Sequence, residues 1–163
     1  MTIRRLRKDD DLGDLIALSR AFFNEYEAHH EELFRIDVLR DEDIVGYFGR
    51  TVDSDDGATF IEVQDGRTVG YMTVFVRSQP GFYRVKQVGA ILGLMVHRDH
   101  RRKGVATRLL AEAKKFFTAR GVRYFTVYTA SENDAAVKFY ERNGMRPLHV
   151  TLVGETGSGT EVR

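Results

Sequence analysis

"LMVHRDHRRKGVATRLL" (Leu94–Leu110) is the stretch that decides the fold. It begins as an apolar, strand-like segment, crosses a cluster of positive charge, meets a glycine and continues as an amphipathic helix. From Gly104 to Arg120 the residues Val105, Leu109, Leu110, Ala113, Phe116 and Phe117 recur on one helical face, and Gly121 supplies a left-handed stop. Upstream, Gln87 to Val96 is an apolar run of strand length broken by Gly89 and Gly93. Glycines inside a strand mark a bulge or a close approach to the backbone.

Working outward, Thr59–Gln64 and Thr68–Arg77 read as two strands rich in Val, Phe, Tyr and Thr. Asp65-Gly66 between them is a hairpin signal, because a type I′ turn needs positive φ at both positions. Thr2–Leu6 reads as a short strand. Asp9, Asp10 and Asp11 offer an N-cap to a helix carrying Leu12, Leu15, Ile16 and Phe22 and fraying near Glu27. A second helix starts near Asp41 with Ile44, Val45 and Phe48 on one face. After the central helix come a strand at Val122–Tyr128, then a helix capped by Ser131 or Asn133 that carries Ala136, Phe139 and Tyr140 and ends at Asn143-Gly144. Met145–Val153 follows as a last strand. The order β-α-α-β-β-β-α-β-α-β predicts a mixed α/β domain of the α+β type over residues 1–154, with a flexible tail at 155–163.

Composition narrows the function classes. The 163 residues suit one domain with its own core. There is no cysteine, which removes disulfides and thiolate metal sites. The five histidines show no metal-ligand spacing, so no metal is expected. A net charge of +1 provides no global field toward nucleic acid or membrane. The N-terminus lacks a signal-peptide core and no apolar run spans a membrane, so a cytoplasmic location is expected.

The basic turn then needs an explanation. A helix N-terminus presents unpaired amides and a partial positive charge, attractive to anions by about 0.3–1 kcal/mol. Gly104 lets an anion approach those amides, the small Ala106 follows, and Arg101, Arg102 and Lys103 add charge. The arrangement suits a pyrophosphate. A charge run alone is usually a solvated turn. The run has no interleaved aromatics and no continuation elsewhere, which ranks nucleic-acid binding last.

"RRKGVA" (Arg101–Ala106) resembles the pyrophosphate-binding motif Arg/Gln-x-x-Gly-x-Gly/Ala of the GNAT superfamily of N-acetyltransferases. "NDAAVKFYERNGM" (Asn133–Met145) resembles that family's Asn-x-x-Ala-x-x-Phe-Tyr-Glu-x-x-Gly-Phe segment, with Met145 in place of phenylalanine. The resemblance covers nearly the whole chain and implies a largely antiparallel central sheet, splayed at the cofactor-binding strand and flanked by helices. It implies acetyl-CoA as donor. Leu94, Met95 and Val96 would meet its pantetheine arm through backbone groups. Arg101, Arg102, Lys103, Gly104, Val105, Ala106 and Thr107 would hold its pyrophosphate. Asn133 would contact pantetheine or order the helix start, Ala136 and Phe139 would line the cofactor, and Tyr140 would stand beside the sulfur.

Transfer to an amine requires a neutral nucleophile, a stabilised oxyanion and a thiolate able to leave. A lysine-like amine with pKa about 10.4 is almost wholly protonated at neutral pH, so a base is needed. The Met95 amide is one candidate oxyanion donor and Tyr140 the candidate acid. The resemblance departs at Ala90–Val96, where relatives carry carboxylates and this chain has none. Glu25, Glu62, His29, His30 or a water chain are the base candidates. Absence of cysteine favours direct transfer in a ternary complex. The acceptor would be a primary amine on a small molecule or a protein. The acidic, aromatic Phe22–Leu33 would suit a cationic one. An inactive CoA-binding sensor or scaffold is the alternative, and Leu148–Val153 is apolar enough for a homodimer contact.

Overall fold

Asp65 and Gly66 both take positive φ, 49° and 75°, and the hairpin they close organises the sheet. The computed structural model describes residues 1–30 and 32–157. Five strands run in the order β1 (Thr2–Arg5), β2 (Gly57–Gln64), β3 (Arg67–Ser78), β4 (Gln87–Val96) and β5 (Phe125–Val127). The first four pair antiparallel, and β5 lies parallel to β4 across a helical crossover. The mixed α/β, mostly antiparallel expectation therefore holds.

Two apolar layers cover the two faces. On one, α1 (Gly13–Glu27) and α2 (Asp41–Gly49) bury Leu15, Leu18, Ile44 and Phe48 against Ile61, Tyr71 and Met95. On the other, α3 (Val105–Ala119) and α4 (Asp134–Arg142) bury their faces against Phe60, Met72, Val74 and Ile91. All six apolar residues expected on α3 are buried, and Gly121 ends it at φ +69°. Both strand glycines have their reasons. A Cβ on Gly89 would stand 2.6 Å from the Phe117 ring, and beside Gly93 the ladder slips, leaving Leu92 without a partner on β3.

Three expectations fail. Leu12, not an aspartate, occupies the N-cap position of α1, because the aspartates have other partners: Asp10 pairs with Arg4 at 2.6 Å and Asp11 accepts the Gly13 amide at 2.8 Å. Val45 is exposed, since Ile44 and Phe48, four apart, already fill the buried stripe of α2. Met145–Val153 forms no strand, and Leu148, Val150, Leu152 and Val153 are exposed. Alternation reports a potential apolar face but supplies no ladder partner, and β5 itself is only three residues long. Of the expected tail, residues 158–163 lie outside the described residues.

Candidate functional site

The β4–β5 ladder stops at Ile91–Val127, so β4 has an open edge from Leu92 onward. Which backbone groups face that opening follows from the register. The His97 amide donates to the Val69 carbonyl at 2.8 Å, one step beyond the Val96–Gly70 pair. Val96 and Gly70 are then a non-hydrogen-bonded pair, and the N–H and C=O of Val96 point away from β3. Arg101 Nε confirms this by donating to the Val96 carbonyl at 3.0 Å. With a period of two, Leu94 also faces the opening. Met95 faces β3, and its side chain packs under α1 and α2. Of the expected trio, Leu94 and Val96 turn their backbone groups toward the open edge. Met95 is turned away, which also removes its amide as an oxyanion donor.

The turn into α3 sits at the end of this edge. Arg102 and Gly104 both take left-handed conformations, φ 62° and 78°. The Arg102 strain is the kind that collects at ligand-binding loops. The first intrahelical bond runs from the Arg108 amide to the Gly104 carbonyl at 3.0 Å, so the amides of Val105, Ala106 and Thr107 have no acceptor in the helix. Gly104 is the N-cap and has no side chain to cover them. Arg102 and Lys103 are exposed and have no ion-pair partner among the described residues. Arg101 is committed elsewhere, to the Val96 carbonyl and, at 2.6 Å, to Glu25.

Beneath the turn is a clamp that sequence reasoning missed. Arg108 grips the fully buried Glu62 carboxylate through two bonds, Nε to Oε2 at 3.0 Å and Nη2 to Oε1 at 2.7 Å, and donates from Nη1 to the Lys103 carbonyl at 3.0 Å. Burial alone would raise the Glu62 carboxyl, but hydrogen bonds from Arg108 and Gln64 outweigh it and hold the group below the usual carboxylate range. Arg108 was hidden in the sequence because it read as one more polar residue of an amphipathic helix. Beside the clamp, His100 Nδ1 is buried with no protein partner.

The remaining candidates separate by environment. Glu25 is spent on Arg101, and His30 Nδ1 accepts the Glu32 and Leu33 amides. Asn133 caps α4, accepting the Ala136 amide at 3.2 Å, and so orders the start of that helix. Ala136 and Phe139 are half-buried against the α3 core, and Tyr140 is buried among them. Burial pushes the Tyr140 phenol up from its ordinary value. Neither expected carboxylate base is free. Among the described residues no group of three or more His, Cys, Asp or Glu could hold a metal ion, and no helix is long and apolar enough to cross a membrane.

Free amides at a helix mouth, a basic loop and an open strand edge together suit a long cofactor that carries a diphosphate. The sequence matches the Acetyltransferase (GNAT) family over residues 3–145, and the chain belongs to that family. An uncharacterized N-acetyltransferase of Methanocaldococcus jannaschii is 26% identical over 149 residues, 91% of this chain and 62% of that protein. The chain thus spans under two thirds of that relative's length. Among solved structures, a mutant of a Bacillus halodurans protein superposes with TM-score 0.83 at 19% identity, covering 95% of this chain and 99% of that one. The aminoglycoside 6′-N-acetyltransferase AAC(6′)-IG of Acinetobacter haemolyticus gives TM-score 0.74 at 15% identity, covering 95% and 97%. AAC(6′)-Iy bound to a CoA-based bisubstrate analogue gives 0.75 at 20%, covering 94% and 96%. At these identities the likeness is one of fold.

Proposed function

We propose that the chain moves an acetyl group from acetyl-CoA directly to a primary amine within a ternary complex. The observation that carries this reading is the set of free Val105, Ala106 and Thr107 amides beside the open edge of β4. The amides and the Arg102 and Lys103 side chains hold the diphosphate, and Leu94 and Val96 offer backbone groups to the pantetheine arm. Val105 lends its amide while its side chain stays in the core. Acetyl-CoA supplies the activated thioester. The chain contributes orientation and a hydrogen bond where charge develops, for which the Leu94 amide replaces that of Met95 as the best-aimed donor.

In this reading Tyr140, buried in the core with Ala136 and Phe139 packed against it, is the group that meets the departing sulfur. A thiol has a pKa of about 8.5 and a phenol about 10, and burial widens the gap, so Tyr140 acts by hydrogen-bond donation rather than complete proton transfer. Glu25 and Glu62 are both held by arginines, so in this reading the amine proton leaves through water. That restraint on both carboxylates favours the second reading, a CoA-binding sensor of the same fold. Release of free CoA, followed with a panel of primary amines, separates the two, because a sensor gives no amine-dependent release. In the enzyme, Tyr140→Phe is expected to lower kcat by on the order of a hundredfold with CoA affinity unchanged. Full activity in that variant would remove Tyr140 from the mechanism.

A further inference from the structure

The connection from β3 to β4 reads Gln79-Pro80-Gly81-Phe82-Tyr83-Arg84-Val85-Lys86, and its tip holds two aromatic rings in water. Phe82 is 83% exposed and Tyr83 50%. The backbone beneath them is well tied. The Gln79 amide donates to the Lys86 carbonyl at 2.8 Å, Gln79 Nε2 to the Val85 carbonyl at 2.8 Å, and the Tyr83 amide to the Pro80 carbonyl at 3.0 Å. Lys86 Nζ reaches across the loop to the Gly81 carbonyl. The two rings lean together, centroids 4.8 Å apart and planes at 37°. A tip so held loses little chain entropy when it meets a partner.

Positive charge gathers at the same end of the sheet. The net charge of +1 conceals an uneven distribution, for there is no Asp or Glu from Gly66 to Arg98. Arg77, Arg84 and Lys86 are exposed on the hairpin that carries the rings, and none is paired with a carboxylate among the described residues. Arg123 lies 5.1 Å over the ring of Tyr124, which is 49% exposed. That pair belongs to this end too, because the Tyr124 carbonyl accepts the Gly89 amide at 2.9 Å near the start of β4. The acids of this end, Asp55 and Asp56, stand further back. The Val76 amide donates to the Asp56 carbonyl at 2.7 Å, and β3 runs on past that point to Ser78.

The shape and the order of side chains select the partner. An exposed hairpin apex offers no groove to a peptide or a nucleic-acid strand. The rings cover part of each other, so they make a poor platform for stacked bases. An apolar ring, a phenol beside it and cations behind match the profile of a lipid interface, where tyrosine sits at head-group level and basic side chains meet anionic lipids.

We propose that the Phe82–Tyr83 tip docks the domain reversibly on an anionic lipid surface. Phe82 enters the interface, and Arg77, Arg84 and Lys86 face the head groups. The open edge of β4 and the basic turn lie at the other end of that strand, roughly 15–30 Å from Gln87, so docking leaves them uncovered.

The chain has no tryptophan, so Phe82→Trp places a single indole at the apex as a reporter. Sedimentation with vesicles of phosphatidylcholine and phosphatidylglycerol in equal parts is expected to retain the full chain about a hundredfold more tightly than vesicles of phosphatidylcholine alone. The preference should fade as salt is raised, and the emission of Phe82→Trp should shift to the blue on the anionic vesicles. Phe82→Ala should weaken that binding about tenfold. Arg77→Gln combined with Arg84→Gln should weaken it about thirtyfold. Both variants should melt with the parent chain, since the altered side chains are exposed. No binding, equal binding to the two kinds of vesicle, or anionic binding that both variants keep in full would overturn the proposal. A blue shift that grows with protein concentration without vesicles would do so as well, by making a second copy the occupant. Tighter binding to a single-stranded oligonucleotide than to the anionic vesicles would assign the tip to nucleic acid instead.

Discussion

The Glu62–Arg108 pair shows how far a residue's type falls short of its role. On sequence Glu62 is an acid in a strand of unknown facing, and a base candidate for that reason. In the fold it faces α3, has no solvent contact, and both its oxygens take guanidinium hydrogen bonds. A carboxylate so held is a poor proton acceptor. Its work is to anchor Arg108, which in turn holds the Lys103 carbonyl of the basic turn. Removing one partner of such a pair leaves a buried charge uncompensated, at a cost of about 3–5 kcal/mol. Arg108→Met should therefore lower the melting temperature sharply and weaken CoA binding, whereas Glu62 and Arg108 replaced together by apolar residues should recover much of the stability. A single variant that melted with the parent chain would show that the clamp is dispensable.

Among the elements, those set by strong periodicity or turn chemistry were legible. The face of α3, its glycine stop, the Asp65-Gly66 hairpin and the irregularity at Gly93 could all be read, because each rests on local physics. What could not be read depends on partners distant in sequence. The apolar alternation after Met145 found no neighbouring strand. The half-facing of β4, which admits Leu94 and Val96 and turns Met95 away, depends on register with β3. A buried line of hydroxyls joins Thr51, Thr59 and Thr73 from two strands and a connection, and no motif marks it. Gly104 belongs to the legible group, with an added reason. Its φ of +78° disfavours any side chain, and a Cβ there would meet Arg108 Nη1 at 2.8 Å. Gly104→Ala should cost roughly 1–3 kcal/mol of stability and lower CoA affinity. Denaturant titration and calorimetry measure both, and an unchanged affinity would show that the loop conformation does not matter to the ligand.

For the molecule as a whole, three carboxylates tie separate elements together and set its response to acid. Asp10 is held low by its hydrogen bond from Arg4, and Asp14 by its hydrogen bond from Arg67. For Glu62, hydrogen bonds from Arg108 and Gln64 overcome the effect of burial. Each has a folded-state pKa below its unfolded value, so the unfolded chain binds more protons in this range and stability rises with pH. The contribution is complete above the unfolded values near 4 and is lost as pH falls through the lower folded values. Thermal melts should be flat from pH 7 to about 5 and then fall steeply, with the fall reduced in Arg4→Met. A chain as stable at pH 3 as at pH 6 would contradict this.

The central claim is that the amides opening α3 hold the diphosphate of CoA. It is tested most directly by an amide chemical-shift titration of the labelled chain with CoA. The account predicts saturable shifts at Val105, Ala106 and Thr107, with Leu94 and Val96 moving in step, and none of these shifts at α3 when pantetheine, which lacks the diphosphate, is added instead. Saturable binding that leaves those three amides unmoved would contradict it.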